Sequence, residues 1–105
     1  MKDIFPPLVE WGMEKGMIVL FILSILSERE YERHVIRHEI LRRFNKKVSP
    51  SGLLLILNTL RALGYIERKN FGRIKTYSVT EKGRRVFERG LNHLKSLVEK
   101  LEKRL

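Results

Sequence analysis

Residues 65–80 read Tyr65-Ile66-Glu67-Arg68-Lys69-Asn70-Phe71-Gly72-Arg73-Ile74-Lys75-Thr76-Tyr77-Ser78-Val79-Thr80. Two short runs suited to strands flank Phe71-Gly72, which is the length and turn chemistry of a β-hairpin. Four cations, Arg68, Lys69, Arg73 and Lys75, crowd around that turn. Like charges so close on a small hairpin repel one another, and a polyanion that neutralises them relieves the repulsion.

On the N-terminal side of the hairpin, Ser49 can cap a helix whose first position is Pro50, where the missing N–H has no partner to lose. Leu53, Ile56, Leu57, Leu60 and Leu63 give that helix, 50–63, a buried stripe, and Gly64 can supply the left-handed residue that ends it. Further upstream, Ser27-Glu28-Arg29-Glu30 has the form of a capping box, so a second helix is expected to begin there or a few residues later. Tyr31, Val35, Ile36, Ile40, Leu41 and Phe44 carry it through Asn45, with Arg33, Arg37, Arg42 and Arg43 opposite and Lys46 and Lys47 in the turn beyond. Before it, Leu8 to Leu26 reads as a helix that is apolar almost all round from Ile18 onward, the pattern of a central helix buried on several sides. Phe5-Pro6-Pro7 should be extended. After the hairpin, Thr80 and Glu81 open a last helix that runs to the C-terminus.

Helix, helix, helix, hairpin, helix is the order of a winged helix-turn-helix: mainly α with a small β-hairpin and a long C-terminal helix. At 105 residues the chain makes one domain. Within it, 1–80 reads as a winged-helix DNA-binding part and 81–105 as a C-terminal dimerisation helix.

The bulk composition points the same way. The net charge of +10 and pI near 10.3 imply an anionic partner: nucleic acid, an acidic membrane surface or an acidic protein. Residues 1–32 hold Lys2, Lys15 and Arg29 against six carboxylates, a net of −3, so the remaining chain carries +13. The basic surface therefore belongs to the later elements. With no cysteine, disulfides, thiol catalysis and thiolate metal sites are excluded. The longest apolar run, Met17 to Leu26, is short of a membrane span and follows an acidic, proline-containing start, so it reads as neither span nor signal peptide. That favours a cytoplasmic protein. The absence of Gln and a 32% charged fraction lean toward a thermophilic source.

In a helix-turn-helix the second helix of the motif enters the major groove and its exposed N-terminal half meets base edges. Here that is helix 50–63, with Ser51, Leu54, Leu55, Asn58 and Arg61 among the outward positions. Asn58 can pair with adenine and Ser51 can reach a base or a phosphate. Leu54 and Leu55 can meet thymine methyls, pack in the core or form an apolar surface for a protein partner, and the sequence leaves all three open. So sparse a reading head shifts affinity onto phosphate contacts from Lys46, Lys47, Ser49, Arg68, Lys69, Arg73 and Lys75.

Phe87, Leu91, Leu94, Val98, Leu101 and Leu105 step by four and three residues in alternation, a heptad seam. It can pair with a second copy, giving a two-fold dimer for a near-palindromic site, or pack back on helix 1 of its own chain. Glu30, His34 and His38 fall at i, i+4, i+8, a spacing that can hold a metal and that more often marks a solvated face. No metal or cofactor is assigned. No Ser/His/Asp set, Gly-rich phosphate loop or carboxylate cluster suggests an enzyme. A cavity between helix 1 and the C-terminal helices can admit an apolar effector, which nothing in the sequence names.

Ser49-Pro50-Ser51-Gly52-Leu53-Leu54-Leu55-Ile56-Leu57-Asn58-Thr59-Leu60-Arg61-Ala62-Leu63-Gly64-Tyr65-Ile66 resembles the recognition-helix pattern S-P-G-T-L-Y-P-A-L-x-R-L-E-x-x-G-L-I of PadR-like transcriptional regulators. Gly72-Arg73-Ile74-Lys75-Thr76-Tyr77-Ser78-Val79-Thr80-Glu81-Lys82-Gly83 is similar to that family's G-R-x-R-K-Y-Y-x-L-T-E-x-G. The likeness covers 49–83 well and the rest in outline. It implies a homodimer built on the C-terminal helix, DNA binding through helix 3 and wing, and usually repression. The family's H-G-Y-E-I is replaced by Tyr31-Glu32-Arg33-His34-Val35-Ile36 and its Tyr-Pro by Leu54-Leu55. MarR-like regulators share the T-E-K-G form.

Overall fold

A computed structural model describes residues 12–103. The elements are α1 (Met13–Leu26), β1 (Tyr31–Glu32), α2 (Arg33–Phe44), α3 (Pro50–Ala62), β2 (Ile66–Phe71), β3 (Ile74–Val79) and α4 (Glu81–Glu102). Mainly helical with a small antiparallel sheet, they form the winged helix-turn-helix expected from the sequence. The core joins Val19, Ile22, Leu23 and Ile25 of α1 to Ile36 and Ile40 of α2 and to Leu53, Leu57 and Leu60 of α3, all fully buried. Each such side chain contributes about 1.5–3 kcal/mol on leaving water. The all-round apolarity of α1 is explained by its surroundings, since α2, α4 and β3 all pack on it, and Phe21 stacks on Phe44 with ring centres 4.0 Å apart.

Several local expectations are corrected. The first helix begins at Met13 rather than near Leu8, because Gly12 stands at φ +87°, outside helical backbone; Leu8 to Trp11 lie outside the described residues. Ser27 does not open a capping box. It ends α1, its hydroxyl donating to the Leu23 carbonyl at 2.7 Å, and α2 starts only at Arg33. In between, Tyr31 and Glu32 form an edge strand that the sequence reading missed, pairing Tyr31 with Tyr77 and Glu32 with Thr76 in a sheet of order β1-β3-β2. Glu30 therefore shares no helical face with His34 and His38. Leu41, Phe44 and Leu63, expected on buried stripes, are exposed at the edges of their helices.

The hairpin pairs Ile66 with Val79 at its base and Phe71 with Ile74 at its tip, so the two-residue loop is Gly72-Arg73, one residue later than expected. Gly72 at φ +63° occupies the first loop position, where a type II′ turn favours glycine.

The T-E-K-G segment fastens the hairpin to the helices around it. Thr80 Oγ1 accepts from the Gly83 N–H at 3.0 Å and donates to the Gly64 carbonyl at 2.6 Å. Lys82 Nζ donates to the Leu63 carbonyl at 2.9 Å and lies over the Tyr65 ring. The end of α3, the wing base and the start of α4 are thus held by one short sequence.

Candidate nucleic-acid interface

The start of α3 is organised as the sequence requires. Ser49 Oγ accepts from the Gly52 N–H at 3.0 Å and Pro50 fills the first turn. The Ser49 hydroxyl hydrogen remains free to donate to a phosphate. With Leu53, Leu57 and Leu60 held in the core, helical geometry turns Ser51, Leu55 and Asn58 outward, and all three are exposed. The two leucines differ in position: Leu55 is 67% exposed, outside the core, whereas Leu54 is half-buried. Arg61 is half-buried toward the wing and Lys47 is exposed in the turn before the helix.

Side chains alternate across a sheet, so the hairpin register sorts its cations. Arg68 and Lys75 lie on the face that holds buried Ile66 and Tyr77, toward the helices. Arg68 enters a cleft of about 520 Å³ between α3 and β2 together with Asn58 and Arg61. Its Nε is buried without a hydrogen-bond partner among the described residues. Leaving such a donor unmade is costly, and an oxygen acceptor reaching the cleft would satisfy it. Lys75 and Arg73 meet Arg33 and His34, at the start of α2, around a second cleft of about 230 Å³ that Glu32 and Tyr77 also line. Arg33 and His34 were not among the site residues expected from sequence. What brings them to the wing is β1, and a two-residue strand leaves no alternation to detect.

Other cations are already bound. Lys69 lies on the opposite face of the hairpin and pairs with Glu30 at 2.9 Å, which raises its pKa. Lys46 pairs with Glu14, whose carboxyl is held below its ordinary value by that ammonium. Arg42 and Arg43 both bind Glu39, at 2.8 and 2.7 Å from the first and 3.0 Å from the second. Arg43 also reaches Glu28 at 2.8 Å. The Glu39 side chain is only 12% exposed, and the Arg42 guanidinium, aided by Arg43, lowers its pKa to about 2. This network joins α2 to the end of α1 and removes two arginines from the pool available to an outside anion.

From Ile40 to Thr80 the chain contains a single carboxylate, Glu67, against nine Lys and Arg. Arg42, Arg43, Lys46 and Lys69 are compensated by the pairs just described, which leaves Lys47, Arg61, Arg68, Arg73 and Lys75 without a salt bridge among the described residues. His34 Nδ1 lies 3.7 Å from Glu32, while Glu30 is turned to Lys69. Among the described residues no group of three or more His, Asp or Glu is placed to hold a metal ion. No described helix is long and apolar enough to cross a membrane.

Along α4, Val86 is buried and Phe87 and Leu94 pack against the core of the same chain. Leu91, Val98 and Leu101 are exposed, the last two at 51% and 69%, and Leu105 lies outside the described residues. The seam thus divides between its own core and an uncovered stripe. A groove of about 540 Å³ opens between α1 and α3, lined in part by Ile18, Leu55 and Ile56.

No family model matches the chain, and no curated protein matches it. Solved structures do. A transcriptional regulator from Clostridium thermocellum superposes with a TM-score of 0.78 at 18% identity, over 86% of this chain and 91% of its own. A PadR family transcription regulator from Clostridium difficile R20291 gives 0.77 at 17% identity, over 84% and 97%. F93 from STIV, a winged-helix DNA-binding protein, gives 0.70 at 23% identity, over 82% and 94%. At these identities the likeness establishes the winged-helix fold.

Proposed function

We propose that this chain is a sequence-specific, double-stranded DNA-binding transcriptional regulator that works as a homodimer, with repression the mode its resemblance to PadR-like proteins implies. The observation that carries the reading is the set of cations around α3 and the wing (Lys47, Arg61, Arg68, Arg73 and Lys75) that have no salt bridge among the described residues, with the buried Arg68 Nε left without a hydrogen-bond partner there. The α3 helix lies in the major groove. Ser51 and Asn58 meet base edges there, Leu55 meets a thymine methyl, and Lys47 with the Ser49 hydroxyl holds the backbone at the helix start. Arg61 and Arg68 bind a phosphate in the α3–β2 cleft, and Arg73 and Lys75 bind the next stretch of backbone. Leu91, Val98 and Leu101 of α4 pair with a second copy. Of the similar structures, two are transcription regulators and one is a winged-helix DNA-binding protein, which supports the reading.

Enrichment of random duplexes on the purified protein followed by sequencing tests it. The expected product is a two-fold symmetric motif with half-sites about one helical turn apart. A pool that never departs from random would contradict it.

The exposure of Leu55 favours a second reading, a protein-interaction module docking through an apolar patch on α3. A Leu55→Asp variant separates the two: losing a protein partner while duplex binding is unchanged supports the module.

A further inference from the structure

The solvent face of α2 carries Arg33, His34, Arg37 and His38, all exposed. His34 lines two clefts at once. On one side it meets Arg33, Glu32 of β1, and Arg73, Lys75 and Tyr77 of the wing. On the other, a smaller cleft of about 130 Å³ sets it beside Arg37, His38 and Leu41 of its own helix and Lys47 and Val48 of the turn before α3. Five cations and one carboxylate, Glu32, line these clefts with the two rings. The imidazoles thus bridge Arg73 and Lys75 of the wing to Lys47 beside the start of α3, the two places where the DNA-binding reading puts phosphates. Glu32 lies 3.7 Å from His34 Nδ1, and the His34 side chain is 76% exposed. That leaves Nε2 for an outside acceptor, and in the protonated ring both nitrogens donate.

We propose that His34 and His38 are proton-dependent phosphate contacts, so that this chain takes up protons on binding a DNA duplex and holds it more tightly as pH falls through the range in which imidazoles gain charge. This rests on the DNA-binding reading and goes beyond it. It adds two contacts and a pH control that lysines and arginines, charged throughout that range, do not supply. The sign follows from the charges. A phosphate beside a ring favours its protonated form, so the complex binds more protons than its separated partners, and acid strengthens it. A charged ring also displaces counterions from the duplex, which a neutral one does not.

Anisotropy of a rhodamine-labelled, mixed-sequence duplex of about 24 base pairs tests this at fixed ionic strength, because phosphate contacts need no particular sequence. If the charged form gains about half a pKa unit at each of the four rings of a dimer, wild type should bind at least roughly tenfold more tightly at about pH 6 than at about pH 8. The slope of log K against log salt should also be steeper at the lower pH, by up to about 0.9 for each ring that holds a phosphate. The H34Q/H38Q variant should bind like wild type at the higher pH and show neither change. His93→Gln, on α4 and outside both clefts, should keep both. A wild-type affinity that stays level across this range, or an equal rise in H34Q/H38Q, overturns the proton-linked contacts and leaves DNA binding standing. Failure of wild type to bind any duplex at either pH overturns both.

Discussion

Gly83 sits under the backbone of Tyr65 so closely that a Cβ at this position would lie 2.0 Å from the Tyr65 carbonyl oxygen. The glycine of T-E-K-G is therefore a packing requirement, and Gly83→Ala should lower stability by roughly 1–3 kcal/mol or more in denaturant unfolding. The capping roles of Ser49 and Thr80 were legible because a cap depends on neighbours two or three residues away. The pairing of Glu39 with Arg42 and Arg43 is equally local, but the extension of that network from Arg43 to Glu28, 15 residues back in sequence, was not legible. With its pKa lowered from 4.5 to about 2, the folded state holds the Glu39 proton less tightly than the unfolded chain does. Its contribution is fully present above the unfolded value and fades as pH falls through the folded one. Glu39→Gln should thus shift the urea midpoint most near pH 7, with the gap to wild type narrowing below pH 4.5. A constant gap would remove the ion network as the cause.

At the scale of elements, the hairpin and the third helix were readable from turn residues, caps and periodicity. The sides of the hairpin were not, because a loop placed one residue early leaves the register, and with it each cation's neighbours, undefined. Register separates Arg73 and Lys75, which meet α2, from Lys69, which already has Glu30. The consequence is measurable by anisotropy on duplex DNA: Arg73→Glu should weaken binding far more than Lys69→Glu. Equal losses would show that the pairing of Lys69 does not persist when DNA is bound. The short strand β1 escaped detection because Tyr31, spaced with Val35 and Ile36, imitates a helical apolar position.

At the scale of the molecule, the radius of gyration is 14.3 Å, where a compact chain of this length is near 13 Å. The excess comes from α4, whose 22 residues extend about 33 Å and leave the core after Leu94. Heptad spacing predicted the stripe, but only the fold divides it into Phe87 and Leu94, held by their own chain, and Leu91, Val98 and Leu101, left uncovered. Sedimentation should give twice the 12.5 kDa chain mass for wild type. A Val98→Asp, Leu101→Asp variant should sediment as a monomer with a folded circular dichroism spectrum and weaker duplex binding. Monomeric wild type at micromolar concentration would contradict the α4 dimer.

The central claim is that α3 and the wing bind DNA through cations left unpaired in the protein. Counterion release tests it most directly, because each phosphate contact adds about −0.9 to the slope of log K against log salt. With Lys47, the Arg61–Arg68 pair, Arg73 and Lys75 each neutralising a phosphate from each of two subunits, anisotropy over a salt titration should give a slope of about −7, and about −4 for the R73E/K75E variant. Absent binding, or affinity that does not change with salt, would contradict the account.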